Sequence, residues 1–161
     1  MKPKIAIAAS MVLAAACGYQ AGFPMRHEGI RTVAVEVVGN QTFRQRLEIP
    51  LTRALHEALS EHSALVVTSP DRADARLVVD LVDAQGMALA VGGSAPIKEG
   101  ALELAIRVRL LRLPGGQTVL ERRIVDRAEF RVPVGENLQS ATRESAHDLA
   151  RKIVLSLEPD F

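Results

Sequence analysis

Along residues 102–111 apolar and polar positions alternate without a break. Leu102, Leu104, Ile106, Val108 and Leu110 share one parity, while Glu103, Ala105, Arg107, Arg109 and Leu111 share the other. Successive side chains of a strand point to opposite faces, so this segment is a strand with one face in a core and one toward water. Pro114, Gly115 and Gly116 then supply a turn, and residues 118–131 return as the partner strand of a hairpin. A three-residue loop over 114–116 sets Leu110 opposite Leu120 and Ile106 opposite Ile124, with Arg109 opposite Glu121 and Glu103 opposite Arg127 on the outer face. A two-residue loop would set Leu110 against Glu121. Because a slip of one residue moves every side chain to the other face, the apolar pairing selects the first register.

Elsewhere the period changes. Residues 32–38 are β-branched and nearly all apolar, which predicts a strand buried on both faces, with Gly39 and Asn40 as a turn after it. Residues 47–62 carry Leu47, Leu51, Ala54, Leu55, Ala58 and Leu59 at three-four spacing, opposed by Arg53, Glu57, Ser60 and Glu61. That is an amphipathic helix, with Pro50 in its first turn, where the missing N–H costs little. Residues 65–68 predict a short strand stopped by Ser69 and Pro70, and residues 76–84 a longer one. Between 86 and 100, Gly92, Gly93, Pro96 and Gly100 predict a long irregular loop that carries apolar Met87, Leu89, Val91 and Ile97. Residues 136–157 predict a second amphipathic helix, buried through Leu138, Thr142, Ser145, Ala146, Leu149, Ile153 and Leu157. Arg143, Glu144, His147, Asp148, Arg151 and Lys152 fall mainly on its wet side. The expected fold class is α+β, a two-layer sandwich of about four mostly antiparallel strands with two helices packed on one face.

The first residues have a different logic. Lys2 and Lys4 precede an apolar run over 5–13, then Ala14, Ala15, Ala16 and Cys17, the only cysteine. This is the layout of a lipoprotein export signal over residues 1–16, too short to span a bilayer. Cys17 is then the expected lipid attachment site, its thiol taking a diacylglycerol and its new amine a further acyl chain, which together hold a protein on a membrane. Leucine usually stands three residues before such a cysteine; here Leu13 is four before it and Ala14 takes that place. Ordinary cleavage at the alanine run and a buried free thiol are the alternatives. Gly18, where an aspartate would retain the protein at the inner membrane, points to the outer membrane. Residues 17–30 read as a lipidated tether and residues 31–161 as a single domain, about 145 residues remaining after the signal.

Composition narrows the chemistry. Twenty Lys and Arg against 19 Asp and Glu leave a net charge of +1, so nothing global steers the chain to nucleic acid. Aromatic residues at 3%, with no Trp, are too few for the girdles of a membrane β-barrel. His27, His56, His62 and His147 have no second ligand at metal spacing, and Ser94 lies in a flexible glycine stretch rather than a nucleophile elbow. Asn40-Gln41-Thr42 reads as a turn, and Asp71 and Asp74 as a solvated corner with Arg72 and Arg76. No catalytic set, metal site or cofactor is expected, and the reading is of a non-enzyme. What stands out is arginine on the hairpin, at 107, 109, 112, 122, 123, 127 and 131. Glu103, Glu121, Asp126 and Glu129 can neutralise several of them. The register nevertheless sets Arg107 opposite Arg123, a repulsive pair that an anionic partner would relieve. Arg107, Arg109, Arg123 and Arg127 are therefore the candidate anion contacts.

Taken together, Cys17-Gly18-Tyr19, the strand Ile30-Arg31-Thr32-Val33-Ala34-Val35, then Asn40, Thr42, Glu48, Leu51-Thr52 and Ala73-Asp74-Ala75 resemble the LptE family of lipopolysaccharide-assembly lipoproteins in order and spacing. The second half is similar in pattern only. The resemblance implies two helices on a four-stranded sheet, seated as a plug inside the barrel of the outer-membrane protein LptD, aiding its assembly and the passage of lipopolysaccharide to the outer leaflet. The four hairpin arginines would then be candidate lipopolysaccharide contacts, and Met87, Leu89, Val91 and Ile97 a candidate barrel-contact loop. A free-standing, periplasm-facing lipoprotein that regulates a cell-wall synthase or serves a secretion complex is the competing reading.

Overall fold

The computed structural model describes residues 29–91 and 97–158. The expected signal peptide, Cys17, most of the tether, His27 and Ser94 lie outside the described residues. In chain order the elements are β1 (Thr32–Val35), β2 (Gly39–Asn40), α1 (Glu48–His62), β3 (Val66–Val67), β4 (Ala75–Val91), β5 (Ile97–Arg112), β6 (Gln117–Arg131), a short 3-10 turn (Val132–Val134) and α2 (Leu138–Ser156).

They form one mixed six-stranded sheet in the order β3-β1-β4-β5-β6, with β2 also on β4. The expectation of about four mostly antiparallel strands is corrected on two counts. β1 pairs in parallel with both β3 and β4, and β2 in parallel with β4. Parallel neighbours need a long crossover, and α1 with its flanking loops provides it. Gly39 and Asn40, read as a turn, form the added strand β2, which at two residues is too short to show a period.

The hairpin register is as expected: Leu110 pairs with Leu120, Ile106 with Ile124, Arg109 with Glu121, Glu103 with Arg127 and Arg107 with Arg123. The turn itself is one residue longer. Arg112 pairs with Gln117 around residues 113–116, and a bulge between Leu110 and Leu111 restores the register upstream. Gly115 and Gly116 have φ of 111° and 69°, conformations that favour glycine.

Of the long loop expected between 86 and 100, residues 86–91 and 97–100 are instead strand, and residues 92–96 lie outside the described residues. β4 and β5 run on as a hairpin to Val91 and Ile97, with shifts of register at Ala88 and Ala90. Gly86 and Gly100, which bound the expected loop, are places where another side chain lies against the strand. A Cβ on Gly86 would meet the Arg44 guanidinium, and one on Gly100 would meet the ring of Phe130, its cross-strand partner. A glycine covered by a facing aromatic keeps its place in a sheet.

One face of the sheet is apolar. Leu77, Val79 and Leu81 of β4 meet Leu110, Val108 and Ile106 of β5, and all six are buried. Fully burying one such leucine contributes roughly 1.5–3 kcal/mol. α2 lies over β5 and β6, and α1 packs beside it. The α1 stripe is as expected, with Leu51, Ala54, Leu55, Ala58 and Leu59 buried. The α2 stripe is turned toward Ala141, Ala150 and Val154, because α2 must cover both the sheet and α1; Leu138 is exposed. Asn137 caps α2 by accepting from the N–H groups of Gln139 and Ser140 at 2.9 and 3.0 Å. The two helices run in the same direction. Ile49 and Arg53 share a groove with Leu138 and Arg143, and Ala58 and His62 share another with His147 and Arg151.

Polar residues fasten the layers. Asp126, on the Leu120–Ile124 parity of β6, points under α2, where its carboxylate accepts from Ser145 Oγ and Lys152 Nζ, both at 2.7 Å. It therefore neutralises no hairpin arginine there, and Lys152 is drawn from the wet side. Asp74 is not a solvated corner. It accepts from the N–H groups of Arg31 and Thr32 at 2.9 Å and from the Thr32 hydroxyl at 2.8 Å, tying β1 to the start of β4. Those donors, the Arg31 N–H foremost and then the Thr32 hydroxyl, hold the Asp74 carboxyl below its usual range.

Two outcomes follow for stability. A carboxyl with a lowered pKa stabilises the fold above the ordinary range of aspartate, and that contribution fades as pH falls through the lowered value. Asp74→Asn is expected to be less stable than the parent at neutral pH, with the gap closing in acid; urea midpoints measured across pH check it, and a pH-independent gap would exclude the carboxylate as its cause. At the other clamp, Lys152→Met leaves the buried Asp126 charge without its cation and is expected to cost about 1–3 kcal/mol. Asp126→Asn keeps a partner for Ser145 and should cost less; the reverse order in chemical denaturation would rule out Lys152 as the neutralising group.

Candidate functional site

The parity that sends Ile106, Val108 and Leu110 into the core sends Arg107 and Arg109 through the sheet to the side away from the helices. β6 adds Arg123 opposite Arg107 and Arg127 opposite Glu103, so all four expected arginines share this face. β4 contributes Asp80 opposite Arg107.

Diagonal or same-strand neighbours, rather than directly opposed ones, neutralise the row. Arg109 Nη2 lies 3.0 Å from Asp80 Oδ2. Arg107 Nε lies 3.7 Å from Glu121 Oε1, and Arg127 Nη2 lies 3.0 Å from Glu129 Oε1. Arg123 has neither an ion pair nor a side-chain hydrogen bond among the described residues. Exposed pairs of this kind contribute roughly 0–1 kcal/mol each, so an anion arriving between Arg107 and Arg123 would displace little. The sequence reading missed Asp80 as a partner of Arg109. The signal was present, since Leu77, Val79 and Leu81 on the opposite parity send Asp80 to the arginine side.

The hairpin residues expected to meet a partner are spread along its far end. Met87 pairs with Ala101 on the arginine side and is half-buried. Leu89 is 43% exposed and borders a groove with Gly100, Phe130 and Arg131. Val91 pairs with Ile97 at the last described rung. Past Leu81 the outer edge of β4 pairs with no strand among the described residues.

The residues that carried the sequence resemblance do different work. Asn40 Nδ2 donates to Arg44 O at 2.8 Å and to Glu48 Oε2 at 2.7 Å, and its Oδ1 accepts from Thr42 N and Oγ1 at 3.0 and 2.8 Å. Glu48 is lowered in pKa, first by a hydrogen bond from its own N–H and then by Asn40. Thr52 Oγ1 donates to Glu48 O at 2.7 Å and accepts from Val38 N at 3.1 Å. This network shapes the approach to α1 and leaves the arginine face free.

A family model described as lipopolysaccharide-assembly, LptE, matches residues 30–157. A comparison with curated proteins finds no match. Among solved structures, the protein CT253 of Chlamydia trachomatis superposes with a TM-score of 0.56 at 12% identity, covering 78% of this chain and 94% of that one. The PelC dodecamer of Paraburkholderia phytofirmans gives 0.55 at 14%, with coverage of 82% and 90%. The uncharacterized lipoprotein B of Nitrosomonas europaea gives 0.50 at 15%, with 79% and 83%. At these identities the likeness is one of fold.

Arg123→Glu puts an acid directly opposite Arg107. It is expected to raise the stability of the domain by about 0.2–1 kcal/mol, read from urea denaturation. A loss of stability would mean that Arg123 already has a stabilising role in the free protein.

Proposed function

The chain belongs to the LptE family of lipopolysaccharide-assembly proteins, and from that premise we propose that it is an outer-membrane lipoprotein, acylated at Cys17, that plugs and helps assemble an LptD-type β-barrel. In this reading its single domain over residues 31–161 faces the periplasm or the barrel lumen and assists lipopolysaccharide on its way to the outer leaflet. The function is one of binding and assembly.

The observation that carries the reading is the one-sided sheet. Its helix-covered face is a closed core, while the other face carries Arg107, Arg109, Arg123 and Arg127 with no covering layer among the described residues. That face suits an anionic glycolipid passing between the domain and a barrel wall, since guanidinium groups bind phosphate in paired hydrogen bonds. The far end of the β4–β5 hairpin supports the same reading. Met87, Leu89, Val91 and Ile97 are apolar positions on an element that runs past the strands on its β1 side, and a surrounding barrel would cover them.

Capture of the tagged full-length protein from detergent-solubilised outer membranes is expected to recover a large β-barrel protein in comparable amount. Met87→Asp with Leu89→Asp should lower that recovery without shifting the thermal melt. Isolation of the intact protein with no barrel partner would overturn the reading.

A further inference from the structure

β6 ends the sheet, and its far edge pairs with no other strand among the described residues. It is also long, at fifteen residues from Gln117 to Arg131. An open edge is a row of N–H and C=O groups ready to take another strand, and proteins usually keep such edges apart with charge. Seven residues of β6 are charged, yet their order is self-complementary. When a second copy lies antiparallel with Ile124 opposite Ile124, all fifteen positions overlap, Glu121 faces Arg127 and Arg122 faces Asp126. Nowhere in that register do like charges meet. A slip of two residues in either direction sets Arg123 against Arg123 or against Arg127, which is repulsive. A slip of one residue would set the helix-covered face of one copy beside the arginine face of the other, which a two-fold axis through the sheet forbids.

We propose that this edge is an interface between two copies of the chain, with the two β6 strands antiparallel about Ile124. A two-fold contact uses the same surface on both partners, so the complementarity must be internal to one strand, as it is here. Exposed apolar side chains flank the seam on both sides of the sheet. Val125, on the arginine side, is 45% exposed, and Leu155 of α2 is 62% exposed. Leu155 stands three residues along from Lys152, whose Nζ donates to Val125 O at 3.3 Å, so the two share a side of α2. That one bond leaves the edge open, because a carbonyl oxygen has a second lone pair for a strand N–H. Joined in this way the two sheets become one, with both helix layers on one side and both arginine faces on the other. The pairing is independent of the function proposed above and needs no barrel.

Gln117 and Arg131 stand at opposite ends of β6, about 46 Å apart within one copy, and the proposed register sets each against the other across the interface. The test mixes full-length Gln117→Cys with full-length Arg131→Cys, one of them tagged, in enough detergent to leave micelles mostly singly occupied. Disulfide-linked dimers are read under mild oxidation, and the parent, whose only cysteine is Cys17, sets the background. A mixed dimer is expected, with neither variant linking to itself above background. Adding Glu121→Arg to both chains, or Arg127→Glu to both, should cut the yield by about tenfold or more, because two cross-strand pairs turn repulsive at once. Glu121→Arg in one chain with Arg127→Glu in the other should restore it, a result that a folding defect cannot produce. Thermal melts check that each variant folds; Glu121→Gln and Arg127→Gln, each expected to lower the yield, replace a reversal that does not. Absence of the mixed dimer, or self-linking of either variant, would overturn the interface. A yield indifferent to the charge changes, or one that the swapped pair does not restore, would overturn the register and the proposal with it.

Discussion

The register of the β5–β6 hairpin is the constraint on which the rest of the molecule depends. With Leu110 opposite Leu120 and Ile106 opposite Ile124, Leu102, Leu104, Ile106, Val108, Leu110 and Leu120 fall on one face and the hairpin arginines at 107, 109, 123 and 127 fall on the other. The same parity turns Asp126 inward, beneath α2, where Ser145 and Lys152 meet it. Sliding β6 by one residue would bury Glu121 and Arg123 and expose Leu120, so the apolar core and the charged face are a single choice.

From that choice the two-sided character of the domain follows. An apolar sheet face must be covered, and two helices suffice because β1 and β6 both run parallel to β4, which lets α1 and α2 return side by side in the same direction. Helices that begin together bring their flanking loops together, which is how Arg44, Arg53 and Arg143 come to share a groove. The second face needs no cover to fold, since its charges pair diagonally across the strands. One surface is thus left available to a partner by the same arrangement that closes the core.

The residues that make the family recognisable are mostly not those that would touch a ligand. Thr32 and Asp74 tie β1 to β4, and Asn40, Thr42, Glu48 and Thr52 hold the path from β2 into α1. These are hydrogen-bonded parts of a crossover that must be built the same way whenever β1 lies parallel to β4. A binding surface made of arginines on strands tolerates movement of each cation along the face, so its members leave a weaker pattern in the chain.

Much was legible in the sequence itself. The alternation of residues 102–111, the three-four stripe of α1 and the pairing of Arg107 with Arg123 are local patterns, and both the strands and their register follow from them. The family motifs were legible for the same reason, as short runs at regular intervals. Tertiary structure alone decided the parallel pairing of β1, β2 and β3, because strands of two to four residues carry too little period to name a neighbour. It decided that Gly86 and Gly100 lie within strands, covered by Arg44 and Phe130 from elsewhere in the chain. It also decided the groove of Arg44, Arg46, Arg53 and Arg143, where side chains nearly a hundred positions apart converge. Periodicity records which way a residue faces; which residues it then meets is set by packing between elements, and that has no signature in the local chain.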